Sequence, residues 1–292
     1  MCKLKSIIFL IKFNGSFKFL SNSYLKFWGT RGSNPSPDSD KMKYGGDTSC
    51  VEIMIKNKES LILDMGTGMR NLGKEIIADS NYPKEINILL SHFHFDHIMG
   101  FLTFAPLFNN NYTINIYGKN SNTTVESAMN FLLKSDFWPV NMDMINAQLN
   151  FKSWEANTFN IKNAEICHAL HGHPNGANSY KIKVDNFNIV YATDLEHPEG
   201  RLNSNVVNLS KDADILIHDS HFSIDDLVKH KGWGHSSWKQ AADVAIESKT
   251  KKLILFHHSP DYSDDKVHEI EKNAQKKFPN TISAYQGLKI NF

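Results

Sequence analysis

Within residues 86–97, Ile-Asn-Ile-Leu-Leu-Ser-His-Phe-His-Phe-Asp-His, an apolar run stops and four potential metal ligands follow inside six positions: His92, His94, Asp96 and His97. A strand sends alternate side chains to the same face, so His92 and His94 can leave a strand end toward one point. Asp96 and His97 follow where the chain must turn. Imidazole and carboxylate suit zinc and other first-row divalent ions, and five or more such ligands can hold two ions around a shared water. A lone histidine beside an apolar run is ordinarily a core or surface residue. Three histidines and an aspartate in this order are not accounted for that way.

The pattern His-x-His-x-Asp-His resembles the signature of the metallo-β-lactamase-fold hydrolases. The resemblance implies three further ligands downstream, each after a strand: a histidine, a bridging aspartate and a last histidine. Residues 164–174 offer His168, His171 and His173. In the resembling branch the histidine stands seven positions before a Gly-Tyr or similar pair, and His173 stands seven before Tyr180, which selects it and leaves His168 and His171 supporting roles. Phe187-Asn-Ile-Val-Tyr-Ala-Thr-Asp reads as a strand ending in Asp194. A carboxylate has two oxygens and can join two cations; the plainer alternative for a strand-end aspartate is a cap. Glu196 and His197, just behind it, are candidates to line the site. Lys252-Leu-Ile-Leu-Phe-His-His puts two histidines at a strand end. Similarity to the family's Leu-Thr-His-Phe-Ser selects His257, with His258 as the fallback.

Two more stretches are similar to the branch containing ribonuclease Z and small phosphodiesterases. Tyr44-Gly-Gly-Asp-Thr corresponds to its Tyr-Gly-Gly-Asn-Thr, with Asp47 in place of asparagine. Leu216-Ile-His-Asp-Ser-His-Phe is similar to its Leu-Ile-His-Glu-Ala-Thr-Phe, with Asp219 at the acidic position, and Gly234-His-Ser-Ser stands where the family has His-Ser-Thr, a histidine that meets substrate phosphate. The implied roles are catalytic for Asp96, Asp219 and His235, with Asp219 holding His235 as it binds a phosphate oxygen or protonates the leaving group.

Composition narrows the substrate. With 32 basic against 31 acidic residues there is no whole-chain field to draw in nucleic acid, and Arg31, Arg70 and Arg201 are the only arginines. The three cysteines, Cys2, Cys50 and Cys167, are widely spaced and unpaired in pattern, which argues against a disulfide framework or thiolate zinc site and fits a reducing cytoplasm. No apolar run approaches the ~20 residues that span a bilayer. The opening Met-Cys-Lys-Leu-Lys-Ser-Ile-Ile-Phe-Leu-Ile-Lys resembles an export signal, but its apolar core closes at Lys12 without a cleavage site, so export is not expected.

Periodicity predicts strands at 24–28, 51–55, 60–64, 112–117, 187–194 and 252–256, and helices at 69–78, 123–134, 238–248 and 264–277. The aromatic and methionine patch from Phe137 to Met144 is read as core, with a lid or dimer face as alternatives. Strands outnumber helices in each half, which suits two sheets face to face with helices outside, an α+β four-layer αββα sandwich. Residues 1–23 are expected to be an irregular extension and 24–292 one hydrolase domain. His92, His94 and His173 would hold one ion, Asp96, His97 and His257 the other, and Asp194 would join them. The expected protein is a cytoplasmic, homodimeric hydrolase with two divalent ions, zinc first and manganese or iron as alternatives, acting on a small or cyclic phosphodiester. Transfer-RNA 3′-end processing is the alternative substrate reading, and a thioester or lactone hydrolase a more distant one.

Overall fold

The computed structural model describes residues 23–119 and 123–292. The expected N-terminal extension, with Cys2, therefore lies outside the described residues except for Ser23. In chain order the elements are β1 (Tyr24–Gly29), β2 (Cys50–Ile55), β3 (Glu59–Leu63), α1 (Met69–Ala78), β4 (Glu85–Leu89), α2 (Phe95–Ile98), β5 (Thr113–Tyr117), α3 (Val125–Leu132), β6 (Gln148–Lys152), β7 (Thr158–Ile161), β8 (Ala164–His171), β9 (Ala177–Val184), β10 (Phe187–Ala192), α4 (Ser204–Leu209), β11 (Ile215–Asp219), α5 (Ile224–Lys229), α6 (Trp238–Glu247), β12 (Leu253–Phe256), α7 (Asp264–Lys277), β13 (Thr281–Ser283) and β14 (Lys289–Asn291).

The strands form two seven-stranded sheets, ordered β14-β1-β2-β3-β4-β5-β6 and β13-β12-β11-β10-β9-β8-β7. Each is antiparallel in one part and parallel in the other: β14 to β3 and β7 to β10 pair antiparallel, while β3 to β6 and β10 to β13 pair parallel. Ligands on open parallel sheets lie beyond the carboxyl ends of the strands. Here β3, β4, β10, β11 and β12 all run out toward one rim.

The layering follows from period-two alternation. In β2, Val51, Ile53 and Ile55 pack between the sheets with Phe27, Leu61, Ile182, Tyr191, Ile217 and Phe256. Met54 faces the other way, under α1 and α3, with Ile62, Ile86, Leu72 and Met129. On the far side, Val190, Leu216 and Leu255 meet Val206 of α4, Val244 of α6 and Ile270 of α7. The result is the predicted helix–sheet–sheet–helix order.

One expectation fails. The Phe137–Met144 patch is not core: Phe137 is 67% exposed and Met144 54%, although Trp138 and Met142 pack partly against the cluster under α3. Pro139 and the 3-10 turn at Met142–Met144 keep the segment irregular, so no single face of it gathers all of these side chains.

Candidate metal centre

Once β3, α1 and β4 have framed the first rim, the motif histidines emerge just beyond Leu89, the last residue of β4. Residue Ser91 ends β4's extension and His92 and His94 project from the extended backbone after it; α2 then starts at Phe95 and carries Asp96 and His97 back to the same point. The residues that close the site come from the other sheet. His173 follows β8, Asp194 follows β10 and His257 follows β12. Asp194 and His257 both adopt left-handed backbone, φ 54° and 59°, as does Asp64 after β3, φ 60°. Such conformations cost about 1–3 kcal/mol each outside glycine and persist where surrounding structure enforces them. Here they turn the side chains off the strand ends and into the rim.

Two groups of potential ligand atoms flank Asp194, His92 with His94 and His173, and Asp96 with His97, Asp194 and His257, and a third, His221 with His235 and His257, overlaps the second at His257; each has its atoms within 4.8 Å of one another. His94 Nδ1 lies 3.0 Å from His173 Nε2. His97 Nε2 lies 3.2 Å from Asp96 Oδ2 and 3.3 Å from His257 Nε2. The Asp194 carboxylate divides itself between the groups. Its Oδ1 is 3.8 Å from His92 Nε2 and 3.7 Å from His173 Nε2, while its Oδ2 is 3.0 Å from His97 Nε2 and 3.2 Å from His257 Nε2. Ligand atoms at the corners of a tetrahedron with zinc–nitrogen bonds near 2.0–2.1 Å stand about 3.3 Å apart. The donor set fits two such ions, and the buried His92 Nε2, aimed at this point, has no hydrogen-bond partner among the described residues.

Electrostatics agrees with that fit. Burial pushes His92 and His173 below the ordinary imidazole range, toward the neutral form a ligand needs. Burial would also lift Asp194, but the surrounding His257, His97 and His92 hold it well below the usual carboxylate range. His97 is driven the other way: burial opposes its charge, yet Asp194, Asp96 and Asp64 outweigh burial and raise it well above 6.5. Three carboxylates around one imidazole mark a place where positive charge is wanted.

The ring nitrogens facing away from the centre are held in turn. His97 Nδ1 is 2.7 Å from Asp64 Oδ2, and the same carboxylate accepts from Ser91 N, Ser91 Oγ and Tyr191 OH at 2.7–2.8 Å. His173 Nδ1 donates to the Gly234 carbonyl at 2.9 Å, and Ser33 N donates to Asp96 Oδ2 at 2.8 Å. Such outer contacts fix tautomer and orientation.

Asp219, at the end of β11, is fully buried, lies 3.6 Å through Oδ2 from His257 Nδ1 and accepts four hydrogen bonds. It accepts from Asp194 N and His235 Nδ1 on Oδ2, at 3.1 and 3.0 Å, and from His221 N and Ser236 N on Oδ1, at 3.1 and 2.9 Å. His235 stands 5.6 Å from the His173 ring and 5.1 Å from the His257 ring. Burial disfavours its charge, but Asp219 prevails and pushes it up to about 9. Glu196 does not reach the centre; its two oxygens accept from Gly232 N and Gly234 N, at 2.8 and 2.7 Å, pinning the loop that carries His235.

The remaining candidates separate cleanly. His171 supports from behind, 3.0 Å from the Asp194 carbonyl. His168 packs on Trp154, and His258 contacts the Ala284 carbonyl instead of the centre. His197 takes a hydrogen bond from Asn203 N. Asp47 faces Thr67, Asn71 and Gln286. Two contributors were not singled out from sequence. Asp64, followed by Met-Gly-Thr-Gly, reads as a turn residue, and His221, stacked 4.2 Å from His235, reads as one polar residue after a strand.

Residues 62–258 match the beta-lactamase superfamily domain. The ribonuclease Z of Prochlorococcus marinus (strain MIT 9301) is 28% identical over 303 aligned positions, covering 82% of this chain and 95% of that protein. The crystal structure of the metallo-beta-lactamase fold protein YhfI from Bacillus subtilis superposes with TM-score 0.71 at 18% identity, over 92% of this chain and 99% of the other. A diphosphatase of the PhnP family gives 0.67 at 19%, over 93% and 98%. With two thirds of its length matched and its two sheets superposed on these structures, this chain belongs to the metallo-β-lactamase superfamily and is a metal-dependent hydrolase.

Proposed function

We propose that the enzyme cleaves phosphodiesters with two divalent ions, zinc first and manganese or iron as alternatives. His92, His94 and His173 would hold one and Asp96, His97 and His257 the other, with the Asp194 carboxylate placed to serve both. Bound there, the ions would ionise a water near neutral pH and offset charge on the phosphate. The observation that carries the phosphodiester reading is the His235 Nδ1 to Asp219 Oδ2 contact of 3.0 Å at the edge of the centre. Expelling an alkoxide needs a proton, and an imidazole kept charged by a buried carboxylate can supply it or grip a non-bridging oxygen. A thioester or lactone hydrolase has no comparable use for the pair.

Among phosphodiesters, precursor transfer RNA has the stronger support. The Prochlorococcus marinus relative that spans 95% of its own length in the comparison is named ribonuclease Z, which shifts the weight from the small or cyclic nucleotide expected from sequence. The small substrate stays as the second reading because the chain carries 32 basic against 31 acidic residues, with no surplus to follow an RNA backbone. We also infer a cytoplasmic homodimer; among the described residues no helix is long and apolar enough to cross a membrane.

The test is metal-loaded enzyme assayed on precursor transfer RNA, cyclic nucleotides and bis-p-nitrophenyl phosphate over a range of salt. Cleavage of RNA whose KM rises steeply with salt supports the first reading. Turnover of cyclic nucleotides alone, with little salt dependence, supports the second. Failure on every phosphodiester alongside hydrolysis of a thioester or lactone overturns both.

A further inference from the structure

The phenylalanines interleaved with the motif ligands do different jobs. Phe93 packs partly against the core under α3, whereas Phe95 is 60% exposed although it sits on a rigid turn, between His94 and Asp96, with Met99 N bonded to its carbonyl. Beside it lies a cavity of about 530 Å³ whose wall includes His92, His94, Phe93, Phe95, Ser127 and Phe131. A second cavity, about 260 Å³, shares Phe95 and Phe131 and adds Met99, Leu102 and Phe137. Phe131 and Phe137 are exposed too, with ring centroids 5.9 Å apart. An exposed cluster of aromatic rings marks an interaction site.

Its occupant is constrained by what the larger cavity opens on. Two of its wall residues, His92 and His94, belong to the candidate metal centre, so a molecule bound there has one end at the scissile phosphate. A nucleobase is a flat ring one sugar away from that phosphate, and aromatic side chains stack on any base without reading its sequence. The near-zero net charge leaves base contacts, not backbone charge, to supply the grip.

We propose that Phe95 and Phe131 form a stacking subsite for the nucleobase attached to the phosphate being cleaved. The subsite rests on the phosphodiester reading above and narrows it to nucleotide substrates. The test is calorimetric titration of metal-loaded protein with adenosine 3′-monophosphate, adenosine 5′-monophosphate and ribose 5-phosphate. One adenosine phosphate should bind about tenfold or more tightly than the sugar phosphate. Phe95→Ala and Phe131→Ala should each remove most of that advantage, and Phe95→Trp should keep it; thermal unfolding checks that the alanine variants are folded. The proposal is overturned if neither nucleotide gains over ribose 5-phosphate, or if the gain survives both alanine substitutions. It is also overturned if those substitutions dissolve a dimer and leave nucleotide binding unchanged, which would assign the patch to a second copy of the chain. Bis-p-nitrophenyl phosphate hydrolysis by the unsubstituted enzyme separates the two ideas: nucleotide preference without any diesterase activity would sink the phosphodiester reading and leave Phe95 and Phe131 a base-binding site only, whereas diesterase activity without nucleotide preference would sink the subsite alone.

Discussion

At His235 burial and Asp219 pull in opposite directions, and the carboxylate wins, leaving the ring charged through the neutral range with a value of about 9. Cations at the neighbouring centre would draw that value back toward neutrality, where a proton donor works best. His235→Ala should therefore lower kcat on a phosphodiester by about 10²–10⁴-fold with metal content unchanged; an enzyme of undiminished kcat would remove His235 from the chemistry. Glu52 gives a stability counterpart away from the site. It is buried with its carboxylate accepting from Trp28 Nε1 and Tyr82 OH, both at 2.9 Å, and burial raises it above its ordinary value despite those bonds. An acid raised on folding contributes fully below its unfolded value, and its contribution is lost as pH rises through the folded one. Glutamine does not titrate, so the melting temperature of Glu52→Gln relative to the unsubstituted protein should climb as the pH rises above about 4, the ordinary glutamate value. A flat difference would show that Glu52 does not titrate differently on folding. Of these residues the sequence marks His235 by its place in a family motif. It says nothing about Glu52, because an acidic residue in the outward position of an alternating strand ordinarily faces water, whereas here Trp28, Tyr82 and Tyr24 cover it.

The elements that bear ligands were the most legible part of the chain, since residues 86–90, Phe187–Ala192 and Leu253–Phe256 carry clear apolar runs ended by polar groups. β6 and β7 were not, being polar, half-exposed strands at the sheet edges; β6 pairs with β5, on the far side of α3, and β7 forms a tight hairpin with β8. Nor does sequence reveal how tightly the loop after β1 closes on β12. A Cβ added to Gly32 would stand 2.3 Å from His257 Nδ1 and 2.9 Å from His221 Nδ1. Gly32→Ala should thus displace the His257 ring, weakening metal binding by about 10–100-fold, the range seen when the support of a ligand is lost. Equilibrium titration of the apoprotein with zinc checks this; affinity equal to that of the unsubstituted protein would mean the loop yields and the histidine does not move.

For the whole molecule, the decisive arrangement is two half-parallel sheets that bring their strand ends to one rim. His92 to His97 come from the first sheet, and His173, Asp194 and His257 from the second. Their convergence was anticipated through the ligand order that the His-x-His-x-Asp-His resemblance implies. Periodicity alone marks strand ends without saying that they meet, because that depends on sheet order and on the left-handed turns at Asp64, Asp194 and His257. The exposed Phe137 shows the converse: hydrophobic composition suggested core, while the packing left that ring on the surface near the candidate site.

The account stands on those ligands gathering a pair of divalent ions across the two sheets. Elemental analysis of zinc-loaded, extensively dialysed protein measures this directly, with Asp194→Ala beside it. The account predicts two ions per chain for the unsubstituted protein and a clear loss for Asp194→Ala, whose carboxylate serves both positions. A folded protein that retains no zinc, or an Asp194→Ala variant that keeps both ions, would contradict it.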